Sequence, residues 1–570
     1  GESEAVVAVV QQLPRLCRHF QSLLGGQPEG EGLAEELMAM VEGIIMEGAQ
    51  EEVSEACVEA AAGLLLVLPD PAARQGYVEG GLPAKLAGSD DEEMRILATH
   101  LLPRISQHLE PEQVQGSVMS LFSKLLTDDE LDVRKDAVSG LPEICSALPE
   151  TSRSELVMPA VASASQDEMW NVRMGCACIL PQIAEMVCQG EAPQQLRAVL
   201  EELLDDCSRW VKHEARLQLG PFIASPACAA GVSRNLKEHF ASVLMSGERG
   251  ETELQEAARA LQHLPAMAKA LGHGWLDKLG PGLKQVAGSA KVSLRAALAE
   301  SLHAIAPLCT GASDSKATLG AWFMEMLEDN EPAVRVGLIT NMGELLDALP
   351  MECRQALVDR LPAMVFQKGQ DCSKWRARLM LTEQLSSLAA PRNSDQVGTA
   401  GGTVLQVAVE LCADPVAAIQ AEAAKQVAQI LVEQRARQEP CTPLEESAMA
   451  CLGRIKEFAE SRSHRERQAY ADVCAHLLGH LPRGDPTYSQ LVPQLLRLAE
   501  DRIPIVRSRA CQALVTAVGT ATAGGGCTAA AAAALPPELV VALEKMAGDG
   551  DREVRSIASA AVRQLGGPRP

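Results

Sequence analysis

Asp472, His476 and His480 stand at i, i+4 and i+8 in "YADVCAHLLGH", so on a helix they share one face. A carboxylate with two imidazoles can hold a transition metal, but such a site also needs ligands from outside the helix. No convincing outside ligand stands out, and the three read as a polar helix face. Gly524 to Gly526 lack the following Lys and Ser/Thr of a phosphate loop, and neither H-E-x-x-H nor G-x-S-x-G occurs. Arg462, Arg465 and Arg467 form the densest basic cluster. They read as a solvated helix start, with an acidic partner as the functional alternative. Carboxylates recur at regular intervals, which argues against a unique acid–base pair. No catalytic, cofactor-binding or metal-ligating residue is therefore expected.

That regularity is the strongest feature of the chain. "LDVRKDAV" (131–138) returns as "WNVRMGCA" (170–177) and "RWVKHEAR" (209–216), and precedes both from "EEMRILAT" (92–99). Arg95, Arg134, Arg173 and Lys212 thus fall on a period near 40, and weaker copies follow at Gln255, Arg295, Arg335, Arg378, Gln420, Arg467, Arg507 and Arg555. An acidic residue often stands six positions earlier: Asp128, Asp167, Asp206, Asp329, Asp501 and Asp549. A period of this length with two helical patterns per unit predicts HEAT-type repeats, an all-α solenoid (superhelix) of about fourteen units. The first unit is little more than "VVAVVQQLPRLCRHF" (6–20).

The ladder has a physical reading. Asp in the turn between two helices can accept hydrogen bonds from free N–H groups of the next helix. Arg in that helix's first turn opposes the helix dipole and needs a carboxylate, from its own unit or a neighbour. Val133, Val172, Val211, Val334, Val506 and Val554, each one position before a basic landmark, are expected in the core. Pro103, Pro142 and Pro181 repeat within the second helices and suggest a shared kink. Irregular connections are expected near Gly311, at 390–402 and at 519–534, and the weakest unit at 233–270.

Composition agrees with a helical stack. The chain is 47% hydrophobic but only 3% aromatic, which suits close-packed helices better than sheets. Net charge is −24, a field that repels a phosphate backbone, so nucleic acid is not an expected partner. No apolar run approaches the roughly 20 residues of a membrane span, and no signal peptide is visible. The seventeen cysteines include no C-x-x-C pair. Several, such as Cys145, Cys412, Cys474 and Cys511, lie in apolar helical patterns and read as buried free thiols in a reducing compartment, the cytoplasm or also the nucleus. Cys176 and Cys178 should point to different sides of one helix.

Several segments carry a family resemblance. "LFSKLLTDDELDVRKDAV" (121–138), "SELVMPAVASASQDEMWNVR" (154–173), "DCSKWRARLMLTEQLSSLA" (371–389) and "LEKMAGDGDREVRSIASAAV" (543–562) resemble repeats of protein phosphatase 2A scaffold subunits. "SRWVKHEARLQLGPFIA" (208–224) and "LAEDRIPIVRSRA" (498–510) resemble the related protein phosphatase 4 regulatory subunit 1 group. The likeness runs in order from about residue 80 to residue 562. It implies a non-catalytic scaffold whose intra-repeat turns form a ridge. N-terminal repeats, 1–311, would hold a regulatory subunit or substrate protein through Asp129, Trp170 and Arg209. C-terminal repeats, 312–570, would hold a phosphatase catalytic subunit through Trp375, Arg376, Asp414, Arg465, Arg502 and Arg552. A karyopherin-like transport receptor with basic cargo is the alternative adaptor, and a HEAT-like enzyme a third reading.

Overall fold

The computed structural model describes residues 2–24, 28–68, 70–229, 231–245, 250–309, 313–339, 342–366, 374–389, 400–436, 442–480, 486–519 and 537–564. Among them every regular element is a helix. Helices alternate as a first helix, a short turn and a second helix, in about fourteen repeats of which the first is the abbreviated stretch Glu2–Val10 and Leu13–Leu24. The irregular connections expected near Gly311, at 390–402 and at 519–534 fall largely outside the described residues.

The chain forms two compact units, Gly1–Gln285 and Val286–Pro570. In the first, second helices Glu92–Ser106, Leu131–Ala147, Trp170–Met186 and Arg209–Ala224 pack each on the next. In the second unit the same holds for Trp375–Glu383, Ala417–Ala436, His464–Leu478, Pro504–Gly519 and Arg552–Gln564. This is the architecture of an α-solenoid. Val133, Val172, Val211, Val334, Val506 and Val554 are all buried, as expected of the third residue of each second helix. Pro103, Pro142 and Pro181 lie inside their second helices. A Cβ on Gly140 would come within 2.7 Å of the Pro103 ring, so the bare glycine is what lets the proline of the preceding repeat approach.

The fourth residue of the second helix builds the ladder. Arg134 Nε and Nη2 donate to the Asp167 carboxylate of the next repeat at 2.8 and 3.2 Å, while Nη1 donates to the carbonyls of Asp128 and Asp129 in its own turn at 2.8 and 3.0 Å. Arg therefore takes its carboxylate from the next repeat and only carbonyls from its own. The same two-pronged pair joins Arg95 to Asp128, Arg173 to Asp206, Arg295 to Asp329, Arg378 to Asp414, Arg467 to Asp501 and Arg507 to Asp549, with Nε–Oδ2 distances of 2.7–2.8 Å. Each Asp also receives a turn N–H two residues on: Glu130 to Asp128 at 2.9 Å, Met169 to Asp167 at 2.8 Å, Ile503 to Asp501 at 2.9 Å. That is a side-chain turn formed just ahead of the helix rather than a bond to its first turn.

Arg335 and Arg555 keep the bonds to their own turn. Arg335 is buried and donates to the Asp329 carbonyl, and Arg555 donates to the carbonyls of Asp549 and Gly550. No carboxylate among the described residues is paired with Lys212. Gln255 is exposed, one residue beyond the ladder position of Glu251–Gln262, which Leu254 occupies. In that weakest unit, buried Glu256 instead accepts His213 Nδ1 at 2.8 Å and lies 3.5 Å from Arg216 Nη1.

Truncating Arg134 or Arg173 to Ala leaves Asp167 or Asp206 mostly buried without its guanidinium. Each variant should lose about 1–3 kcal/mol in urea unfolding; melting identical to the parent would make these surface arginines. The ladder also sets an acid limit. The hydrogen bonds from Arg295 and Arg507 hold the Asp329 and Asp549 carboxyls below their usual range. At Asp206 and Asp501 burial is the largest influence and pushes upward, but the bonds from Arg173 and Arg467, the turn N–H groups of Ser208 and Ile503 and the arginine charges together outweigh it, and the net shift is down. A carboxyl depressed by folding stabilises fully above its unfolded value, about 4, and that stability goes as pH falls through the lower folded value. Thermal melts should therefore lose this contribution below about pH 4, and Asp329→Asn should remove part of that acid sensitivity.

Candidate functional site

The ladder fixes the third and fourth residues of each second helix, so the first and second are left facing solvent beyond the turn. Trp170 and Trp375 are first residues, and Trp210 is a second residue. They are 42%, 45% and 46% exposed, whereas Trp275 and Trp322 are buried. These three rings therefore do not plug the core. The Arg209 guanidinium lies 4.6 Å from the Trp210 ring centroid, and that of Arg376 lies 5.2 Å from the Trp375 ring. A guanidinium over a ring restrains it and leaves its other face for contact.

In the first unit, Asp129, Trp170 and Arg209 are exposed on three successive turns. The rungs Arg134–Asp167 and Arg173–Asp206 tie those turns together. Exposed Met169 adjoins Trp170, a residue that the periodic pattern does not mark. In the second unit, Trp375, Arg376, Arg465, Arg502 and Arg552 are exposed on their turns, with exposed Ile505 beside Arg502. Asp414 differs. It is 9% exposed, bonded to Arg378 and to the Val416 N–H at 2.9 Å, so it belongs to the ladder and not to the free surface. Its place in the repeat could have been read from the Asp–Arg spacing, but the residue six positions after it in its own repeat is Gln420, which hid the pattern.

Other residues singled out in the sequence find local partners. Asp472 lies 3.7 Å from Arg509 of the next repeat, and burial pushes its carboxyl upward. Burial pushes the His476 imidazole downward. Cys145, Cys412, Cys474 and Cys511 are buried free thiols; Cys176 is buried and Cys178 exposed, on opposite sides of their helix. Burial raises the Cys145 thiol to about 11 and those of Cys474 and Cys511 to about 12, far from a reactive thiolate at neutral pH. No described helix is long and apolar enough to cross a membrane.

Repeating helix pairs, an apolar seam within each unit and an Arg–Asp ladder define a HEAT-repeat α-solenoid. No protein-family model matches this chain. It is similar to serine/threonine-protein phosphatase 4 regulatory subunit 1. The human protein is 26% identical over 182 residues, 31% of this chain and 19% of that protein. The rat protein is 25% identical over 281 residues, 48% of this chain and 28% of that protein. The match thus spans less than a third of these relatives' length. Among solved structures, Kap95p from a study of its binding to RanGDP superposes with a TM-score of 0.58 at 14% identity, covering 99% of this chain and 69% of that one. Importin β crystallised in ammonium sulfate gives a TM-score of 0.57 at 14% identity, covering 99% and 72%. At that identity the likeness is one of fold.

Proposed function

We propose that this chain is a non-catalytic scaffold or regulatory subunit of a protein phosphatase 2A-family Ser/Thr phosphatase. The turns of the repeats in 312–570 hold the catalytic subunit, and those of the repeats in 1–311 hold a regulatory subunit or substrate protein. The similarity to phosphatase 4 regulatory subunit 1 supports the class of partner. The observation that carries the surface is Trp375, two-fifths exposed beneath Arg376, on a helix fixed by the Arg378–Asp414 rung. Such a ring is held in place before binding, so little conformational entropy is lost when a partner covers it. Exposed Arg465, Arg502 and Arg552 extend this surface with positive charge in a chain of net charge −24. The proposed compartment is the cytoplasm or nucleus, where buried free thiols stay reduced.

A second reading is a transport-receptor-like adaptor. It draws on the acidic turns of the first unit, where exposed Asp129 and Glu130 would suit basic cargo. A titration with purified catalytic subunit separates the two. Trp375→Ala with Arg376→Ala should keep the helical signal and melting curve yet weaken capture about thirtyfold or more, the loss of ~2–4 kcal/mol common for a central Trp and Arg. Trp170→Ala should leave that capture intact. Unchanged affinity in a well-folded Trp375/Arg376 variant removes these residues from the surface, and a parent chain that binds no catalytic subunit of the family overturns the assignment.

A further inference from the structure

The ladder has a gap inside the second unit. Its position is held by Gln420 in Ala417–Ala436 and, in the next turn, by Ser461 in place of an Asp. Gln420 is 8% exposed, and its Nε2 has no hydrogen-bond partner among the described residues. Ser461 Oγ still accepts the Ser463 N–H at 3.0 Å, so the turn keeps its cap and loses only its charge. On either side the ties are strong. Backward, Arg378 holds Asp414, and Gln426 accepts the Ser386 N–H at 2.8 Å. Forward, Arg467 holds Asp501, and the Tyr470 hydroxyl donates to the Leu491 carbonyl at 2.7 Å. Across the gap the ion pair among the described residues is Arg454 to Glu410 at 3.2 Å, with both side chains about two-fifths exposed, and His476 stands within reach of the opposed charges of Lys425 and Glu422. Water competes for such a pair, and it holds geometry weakly.

We propose that the contact between the repeats 400–436 and 442–478 is a compliant joint, at which the second unit shears while the charged rungs on both sides stay fixed. Packing of Ala417–Ala436 on His464–Leu478, with Ile419 and Val473 among their buried residues, keeps it closed. Apolar contact is non-directional and tolerates small sliding, whereas a two-pronged Arg–carboxylate pair allows one register. This inference concerns the chain alone and stands apart from what the chain binds.

The test is hydrogen–deuterium exchange on the full chain. Gln420→Arg with Ser461→Asp installs the missing rung and should slow exchange in helices Ala417–Ala436 and His464–Leu478 by roughly tenfold, more than the two single changes combined. Conversely, Arg467→Gln with Asp501→Ser copies the neutral joint one repeat on. It should speed exchange in His464–Leu478 and Pro504–Gly519 to a similar degree. Unchanged exchange in the first double variant, or an Arg467/Asp501 variant as protected as the parent, overturns the joint. Should circular dichroism show that the first variant does not fold, the second decides the question by itself.

Discussion

Everything in this molecule hangs on a mostly buried guanidinium shared between two repeats. Arg134 shows the arrangement, with its own turn's carbonyls on one side and the next repeat's carboxylate on the other. The carboxylate in turn caps its own turn. Neither charge would be tolerable alone at this burial, since an unpaired ion keeps its desolvation penalty without the compensating attraction. Together they orient two successive turns by geometry that apolar packing cannot impose. The apolar seam supplies most of the stability, as it must where the area removed from water is large, while the rungs choose the register.

The neutral turns separate the two duties of the Asp. Ser89, Ser289 and Ser461 accept the N–H groups of Asp91, Lys291 and Ser463 at 3.1, 3.2 and 3.0 Å, so they do the capping. In the first unit, the second helix before Ser89 has Ser54 as its fourth residue; in the second, the one before Ser461 has Gln420. At these turns the carboxylate is missing where the preceding Arg is missing too. A buried carboxylate without its cation would cost more than the rung gives, and at these two turns both charges are absent together. Capping is thus a demand of the turn, and charge is a demand of the neighbour.

This division explains which parts were legible in sequence. The helix pairs, the buried valines and the periodic arginines follow from local pattern, because each repeat solves the same local problem. The direction of the pairing did not follow. Asp128 stands six residues before Arg134, and only the stacking shows that its carboxylate belongs to Arg95 while Arg134 takes the Asp128 carbonyl. That Asp414 belongs to the ladder is likewise visible only in the stacking, where its carboxylate meets Arg378. Gln255 matched the spacing but sits one residue past the ladder position. The replacement of a rung by His213, Arg216 and Glu256 leaves no periodic trace at all, since the interaction moves to positions that the repeat does not mark.

The first four residues of each second helix then divide structural positions from exposed ones. Residue three enters the core and residue four forms the rung, so residues one and two can change freely without threatening either. Trp170, Trp375 and Arg552 at the first position, with Trp210, Arg376 and Arg465 at the second, use that freedom. A partner seated on both Trp375 and Arg465 would bridge the neutral joint at Gln420 and Ser461. Part of its binding free energy would then go into fixing one register of that joint, and a chain already fixed there would show the partner a higher affinity. In such a protein the choice of a neutral rung is a choice about binding as much as about stability: the ladder decides how much of the surface is set in advance, and the gap decides where the partner must set it.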